Sequence, residues 1–548
     1  MSNDLLYPIG ESDFANLRQD GALYVDKTQL IRTLVTRGRY YFLSRPRRFG
    51  KSLLVSTLKA YFQGREDLFQ GLAIEGKVKK EEAYPVLHID LSPKTYDSPE
   101  ALAEHLNYCL RKCELQLQLP INTGMPADER FLTLIDDAQA KTGRQVVVLI
   151  DEYDAPLLET IANPQLQEIY RRQLSGFYKV LKAQTANLRF VFLTGITRFS
   201  KLSIFSAINN LLDISLSADY ATLCGITQQE LETYFPEGLK ALQEALQGEQ
   251  PGITMPEVLQ RLKEKYDGYH FSPRLLAPSD GVYNPYSLLS ALMLREVQDY
   301  WYATATPSYL ADVLELTHYS VSNLLNRRIT MQALGDVALT EYDPRPIFYQ
   351  SGYLTLESFS PVTNNCGLRI PNGEVEHGLY RFLMGHFSQQ AFAVGHQYDE
   401  EQLVDLLEQG KVEEFMAKLV ELFNTLDYLA MNKEKENSTV QKDQRKKAPR
   451  ECDFQGILYI LFSILGFYPH IEVRMAWGRA DMLVETPAHV YVFEFKVDSS
   501  PETALQQITD QGYDVGIPLR GRQLHCLGVN FNRAKGIIEG WKAQESAE

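Results

Sequence analysis

Cysteine is scarce, at six in 548 residues. That is too few for a fold stapled by disulfides. Cys109 and Cys113 stand four apart in a helical pattern with no second pair nearby, so they read as reduced thiols rather than metal ligands. Reduced thiols fit a cytoplasmic compartment. An excess of positive charge is also missing. The net charge is −15, which argues against a generally basic nucleic-acid coater, because phosphate binding needs a concentrated positive surface. A local nucleic-acid site inside an acidic protein stays compatible with that charge. Long apolar runs are absent as well. The longest, about Phe454 to Tyr468, is bounded by Asp453 and His470. It falls short of the roughly 18–20 residues a membrane span needs and reads as a buried helix. The start, Met1-Ser2-Asn3-Asp4, has no basic stretch leading into an apolar one, so no signal peptide is expected. No internal repeat or long low-complexity tract is visible.

What is present is ordinary globular composition, 45% hydrophobic and 23% charged. The length exceeds one compact core, so about two to four domains are expected. Residues 1–225 alternate strands with helices. Tyr40–Leu43, Pro85–Leu91, Gln145–Ile150 and Leu188–Thr194 read as buried strands, with Asp213–Leu216 as a fifth. Continuous β-branched and apolar runs indicate strands covered on both faces, as in a parallel α/β sheet. Helices are expected over Ser52–Phe62 and Ile169–Thr185. Residues 226–385 read as a mostly helical middle or lid region joined by loops, rich in aromatics and turn signals. Glu400 to about Leu429 is helical and amphipathic. Asn432–Arg450 is polar, with seven Lys/Arg against three Asp/Glu, and reads as weakly ordered. A third domain is expected over 386–548, its core at 451–548 in the order helix, strand, strand, helix, strand. The expected class is α/β, with a parallel-sheet domain first and a second α/β domain last.

The first chemical signal is Arg45-Pro46-Arg47-Arg48-Phe49-Gly50-Lys51-Ser52, which follows a strand and opens a helix. That is the context a phosphate loop requires, because N–H groups at a helix start attract phosphate oxygens. Lys51 would reach the β/γ-phosphates of ATP, Ser52 would hold Mg²⁺, and Gly50 permits close backbone approach. Arg45 and Arg48 are further candidates for nucleotide binding. The pattern departs from the usual one in that Arg45 stands where the first glycine belongs, and Pro46 offers no N–H. The plain alternative is a helix start with a surface lysine. The second signal is the strand Val146–Ile150 followed by Asp151 and Glu152. Asp151 would hold Mg²⁺, and Glu152 would orient or deprotonate the attacking water. The third is Phe190–Arg198, where Thr194 would stand close enough to sense a γ-phosphate and Arg198 would stabilise charge. A polar strand end with a solvated arginine is the competing reading.

At this point the chain resembles the bacterial AAA-ATPase-like proteins that carry a C-terminal PD-(D/E)xK nuclease-like domain. The matching stretches are Tyr24-Val25-Asp26-Lys27-Thr28, RPRRFGKS at 45–52, LIDEYD at 149–154, TGITRFS at 194–200, YDGY at 266–269 and YNPYSLL at 283–289. The resemblance implies a P-loop fold with the catalytic-glutamate strand next to the phosphate-loop pair. It also implies that an arginine-rich loop without the first glycine is common in the family. Asp26 and Lys27 either frame the nucleotide base or cap the helix from Thr28.

The last constellation lies in Gly478–Val484 and Val490–Lys496, read as two strands joined by a turn through Pro487. Alternate side chains of a strand share a face. Glu494 and Lys496 therefore point one way, and Tyr491, Phe493 and Phe495 the other. An adjacent strand would bring Asp481 beside Glu494. Asp481 and Glu494 would bind Mg²⁺ (Mn²⁺ is an alternative), and Lys496 would steady the attacking hydroxide or the developing charge of phosphodiester hydrolysis. The plain alternative is a cross-strand ion pair on a solvated face. Ser500-Pro501 starts a helix. On it, Gln507, with Tyr513 just beyond, resembles the supporting Gln and Tyr of restriction-endonuclease-like exonuclease domains, which makes Gln507 a further catalytic candidate. Such domains often carry another acidic residue on the first helix, where Glu451 and Asp453 both qualify. The basic stretch Lys442–Arg450 is either a phosphate-backbone contact or a solvated linker.

Two functions follow. One is an ATPase that gates a Mg²⁺-dependent nuclease acting on nucleic acid, DNA first. The other is an ATP-dependent switch or scaffold whose nuclease-like domain binds nucleic acid or protein without cleaving. No helicase-like second P-loop domain is present. No membrane partner is expected, and a homo-oligomer is compatible with the sequence.

Overall fold

The computed structural model describes residues 6–199, 211–301, 308–317, 328–335, 343–387, 400–425, 451–465, 467, 469–474, 479–513, 517, 519 and 521–545. The basic stretch before residue 451 lies outside them. The chain divides into two compact units, Met1–His318 with Asn326–Glu376, and Tyr319–Leu325 with His377–Glu548.

The first unit is built on a parallel sheet of β1 (Tyr40–Ser44), β2 (Val86–Asp90), β3 (Val146–Asp151), β4 (Leu188–Gly195) and β5 (Leu212–Asp213). The strand order is β2-β3-β4-β1-β5. All four pairings are parallel. Every residue of β3 is buried, as expected for a strand covered on both faces. The fifth strand is shorter than the sequence suggests, two residues beginning at Leu212. The Lys51–Phe62 helix follows β1 and packs against β2, β3 and β4, while Ala101–Gln116 lies on β2 and Ala127–Thr142 on β3. Register aligns Ser44 with Gly195 and Asp90 with Asp151. These four residues mark the carboxyl edge of the sheet, where open α/β sheets receive ligands. β4 separates β1 from β3, so the strand leading to Glu152 borders the β1–β4 pair.

After the sheet come helices Gln228–Tyr234, Pro236–Leu246, Met255–Tyr266 and Pro285–Leu294. Their apolar faces share a cluster that includes Leu231, Leu242, Leu262 and Leu288. β6 (Ile226–Thr227) and β7 (Val282–Tyr283) pair beside it. Beside the expected helices and loops this region holds one element the sequence reading did not include. A three-stranded antiparallel sheet forms from β8 (Ile329–Thr330), β9 (Thr355–Ser360) and β10 (Asn365–Arg369), in the order β8-β10-β9. Its hairpin reaches into solvent, with Val362 at 93% exposure, and its polar residues conceal the strand period.

The second unit carries β11 (His470–Arg474), β12 (Arg479–Glu485), β13 (His489–Val497), β14 (Gln523–Asn532) and β15 (Ile537–Glu545) in sequential order. β13 and β14 run parallel, and the other pairs are antiparallel. The sequence pattern gives the helix, the central strands and the helix Pro501–Asp510 but not the edge strands β11 and β15. On one face Phe462 of the Glu451–Ile464 helix meets Phe493, and Phe454 stacks on Phe531. On the other, Val490 and Val492 share a cluster with Ile508 and Tyr513. Helices Glu400–Glu408 and Val412–Thr425 complete the unit. Cys109 and Cys113 are free and buried. Burial pushes their thiols up, to about 11 and about 12. Among the described residues no helix is long and apolar enough to cross a membrane.

Candidate functional site

The Arg45–Gly50 loop leaves β1 and turns through two left-handed residues, Arg48 at φ 67° and Gly50 at φ 86°. A glycine fits the second position without strain. Gly50 is also the N-cap of the Lys51–Phe62 helix, which begins with no side-chain cap, so its first N–H groups face the loop. Lys51 is buried and turns back over the loop. Its Nζ donates to the Pro46 carbonyl at 3.1 Å and pairs with Glu152 Oε1 at 3.2 Å. The Ser52 side chain lies beside Asp151 and opposes the rise of its pKa. Asp151 is pushed up to about 7, first by burial and then by the Glu152 charge. Glu152 itself sits at φ 48°, a conformation costly for a non-glycine residue and concentrated at functional sites. Lys51, Ser52, Asp151 and Glu152 thus meet at one place on the sheet edge.

The other nucleotide candidates carry bonds to further elements. Arg45 is buried, and its guanidinium donates to the carbonyls of Ser44, Ser215 and Tyr220 while lying 4.1 Å from the Phe271 ring centroid. These bonds give the buried guanidinium a structural role beside the loop. The Thr194 hydroxyl donates to the Leu43 carbonyl at 2.9 Å and ties β4 to β1. Arg198 pairs with Asp213 at 3.2 Å, and its N–H donates to Gln350. Arg48 is exposed, over the Tyr286 ring at 4.7 Å. Asp26 caps the N–H of Thr28 and accepts from Ala73, while Lys27 pairs with Glu230 at 2.6 Å. Both therefore have structural bonds.

The YDGY and YNPY stretches have a physical use that the sequence conceals. Phe49, inside the loop, packs edge-on against Tyr269 and Phe271 at 4.8 and 5.4 Å. The Trp301 indole donates to the Arg47 carbonyl. Asn284 caps the Pro285–Leu294 helix through the N–H groups of Tyr286 and Ser287. These residues form an aromatic floor beneath the loop.

In the second unit the β12–β13 register pairs Met482 with Phe493, so Asp481 stands opposite Glu494. Asp481 Oδ2 accepts the Phe495 N–H at 2.8 Å. Glu494 is buried, and Lys496 Nζ donates to Glu494 Oε1 and to the Phe495 carbonyl, both at 2.9 Å. The three side chains therefore converge on one edge. Gln455, missed in the sequence, donates from the first helix to the Asp481 carbonyl at 2.6 Å. Tyr513 accepts the Arg479 N–H at 3.2 Å. Gln507 is half-buried on the Pro501–Asp510 helix, and among the described residues its side chain makes no hydrogen bond to the three. Glu451 and Asp453 lie in the first turn of their helix, with side chains outside the described residues. Among the described residues no group of three or more His, Cys, Asp or Glu is arranged around a metal. Two hard carboxylates still suit Mg²⁺, which keeps several waters and completes its shell with substrate oxygens.

Comparison with known proteins agrees with this layout. A family model described as "Predicted AAA-ATPase" matches residues 8–205, and one described as "PD-(D/E)XK nuclease superfamily" matches residues 450–541. An uncharacterized protein from the vnfD 5′ region of Azotobacter chroococcum mcd 1 is 33% identical over 542 residues, covering 97% of this chain and 98% of that one. The chain belongs to the AAA-ATPase-like proteins with a C-terminal PD-(D/E)xK nuclease superfamily domain. Among solved structures this AAA-ATPase-like chain is similar to the ORC2 protein of Aeropyrum pernix (ADPNP–ADP complexes), at 13% identity, covering 70% of this chain and 97% of that one, with a TM-score of 0.25. It is also similar to Cdc6p from Pyrobaculum aerophilum, at 11% identity, 69% and 94% coverage and a TM-score of 0.22. Scores that low support no inference about its activity.

Proposed function

We propose that this AAA-ATPase-like protein binds and hydrolyses ATP at Lys51, Ser52, Asp151 and Glu152, and that nucleotide state gates a metal-dependent nuclease centred on Asp481, Glu494 and Lys496. The observation that carries the reading is the register position of Asp481 opposite Glu494, with Lys496 on the same face as Glu494.

In the first site Lys51 exchanges Glu152 for the β/γ-phosphates. Ser52 and Asp151 would hold Mg²⁺, and the freed Glu152 orients the attacking water and takes its proton. In the second, Asp481 and Glu494 would hold Mg²⁺ or Mn²⁺, which when bound supplies Lewis acidity to a phosphoryl oxygen and acidifies a water. Lys496 has three donors and among the described residues uses two, on Glu494 and the Phe495 carbonyl. The third is available to steady hydroxide or developing negative charge. The substrate class is nucleic acid, DNA first.

The test incubates purified protein with single- and double-stranded DNA and RNA, Mg²⁺ or Mn²⁺, with and without ATP. Degradation that needs the metal and is abolished by Lys496→Ala and Asp481→Ala supports the reading. Undiminished cleavage by Lys496→Ala removes the nuclease site. ATP-dependent association with no product favours a switch that binds without cutting.

A further inference from the structure

Glu152 is followed by two residues whose side chains bond to one distant loop. The Tyr153 N–H donates to the Thr194 carbonyl at 3.0 Å. The Tyr153 hydroxyl donates to the Thr197 carbonyl at 2.8 Å and accepts the Phe199 N–H at 3.2 Å. Asp154 is fully buried. Its Oδ2 accepts the Ile196 N–H at 3.1 Å, the Thr197 N–H at 2.6 Å and the Thr197 hydroxyl at 2.6 Å, and its Oδ1 accepts the Ile196 N–H at 3.2 Å. A carboxylate is removed from water only when donors replace it, and among the described residues the donors to this one come from two consecutive residues of the 195–199 loop. The approach is so close that a Cβ on Gly195 would lie 2.1 Å from Asp154 Oδ1 and 2.7 Å from the Tyr153 ring. Only glycine fits there. The loop so held carries Arg198, whose N–H is in turn taken by Gln350.

We propose that Tyr153 and Asp154 are positioning residues for ATP hydrolysis, fixing the loop that carries Arg198 at a set distance from Glu152. The inference rests on the ATPase reading above. The turn from Glu152 to Asp154 and the loop from Gly195 to Phe199 then move as one body. When phosphate takes Lys51 away from Glu152, the shift passes to Arg198 and onward to Gln350. Coupling of this kind runs through packed, hydrogen-bonded elements in contact.

The test compares Asp154→Asn, which turns one acceptor into a donor, with the milder Tyr153→Phe, which keeps the ring and removes only the hydroxyl. Expected for Asp154→Asn are a kcat at least tenfold lower, a Kd for ATP within twofold of the parent, and faster amide exchange in 194–199 with unchanged exchange in β3. Tyr153→Phe should show the same pattern more weakly, about threefold in kcat. Adding Asp154→Asn to Arg198→Ala should slow hydrolysis no further than Arg198→Ala alone. Parental kcat in both variants, or losses that multiply with Arg198→Ala, would overturn the inference. A parent that turns over no ATP defeats the ATPase reading instead. In that case amide exchange decides the hold on the loop, and parental exchange in both variants overturns it. If Asp154→Asn fails to fold, Tyr153→Phe carries the decision alone.

Discussion

Glu152→Gln separates the two roles assigned to that carboxylate. Lys51 and Glu152 are 3.2 Å apart, with side-chain exposures of 3% and 19%. At an effective dielectric of about 20 their gross attraction is on the order of 5 kcal/mol. Desolvation of both groups and solvent reaching Glu152 reduce the net value to roughly 1–2 kcal/mol. ATP must meet that cost to recruit Lys51, and a neutral glutamine removes most of it. The variant should therefore bind ATP about tenfold more tightly, since about 1.4 kcal/mol is a factor of ten. Hydrolysis should fall by about 10²–10⁴, the usual contribution of a positioned general base. Calorimetric titration with ATP and Mg²⁺ measures the first, and phosphate release the second. Binding no tighter than that of the parent would refute the competition between Glu152 and phosphate. Retained hydrolysis would refute the assignment of the base.

Three other outcomes follow from the geometry. Asp151 is raised above its unfolded-state value, so the folded chain holds a proton that the unfolded chain releases. Stability should fall as pH climbs from about 4 to about 7. Without Mg²⁺ or nucleotide, Asp151→Asn should raise the melting temperature over the parent at pH 8 by more than at pH 5, and equal gains at both would contradict the burial argument. Arg45→Ala strands three carbonyls and removes a buried ring contact, so the first unit should lose roughly 2–4 kcal/mol in chemical denaturation. A loss of ATP affinity without that destabilisation would return Arg45 to the phosphate site. Asp481→Asn should weaken Mn²⁺ binding to the nuclease-like domain in calorimetry at least tenfold, and unchanged metal affinity would detach Asp481 from the site.

The sheet of the first unit was readable because β1, β3 and β4 are buried on both faces, which leaves unbroken apolar runs. The meeting of Lys51, Ser52, Asp151 and Glu152 follows from that sheet, since each stands where a strand ends or a helix starts. Asp481 and Glu494 required only that two neighbouring strands pair. What stayed hidden depends on partners far along the chain. Arg45 is claimed by Ser215 and Tyr220, 170 and 175 residues away, and no local pattern announces that. Asp154 lies inside a motif that was read for its first two acids, yet its bonds reach 42 and 43 residues on. β15 is an edge strand whose segment IIEGWKAQE lacks the apolar density of β13. The hairpin of β9 and β10 is too polar to show a period.

The aromatic floor bears on how this chain could be cut or recombined. Phe49 rests on Tyr269 and Phe271, and Trp301 grips the backbone at Arg47. A fragment ending at residue 225 would retain every letter of the phosphate-loop motif while leaving Phe49 open to water. The smallest transplantable nucleotide cassette therefore runs well past the motif-bearing sheet, and a shorter graft would carry the inscription without the stone behind it.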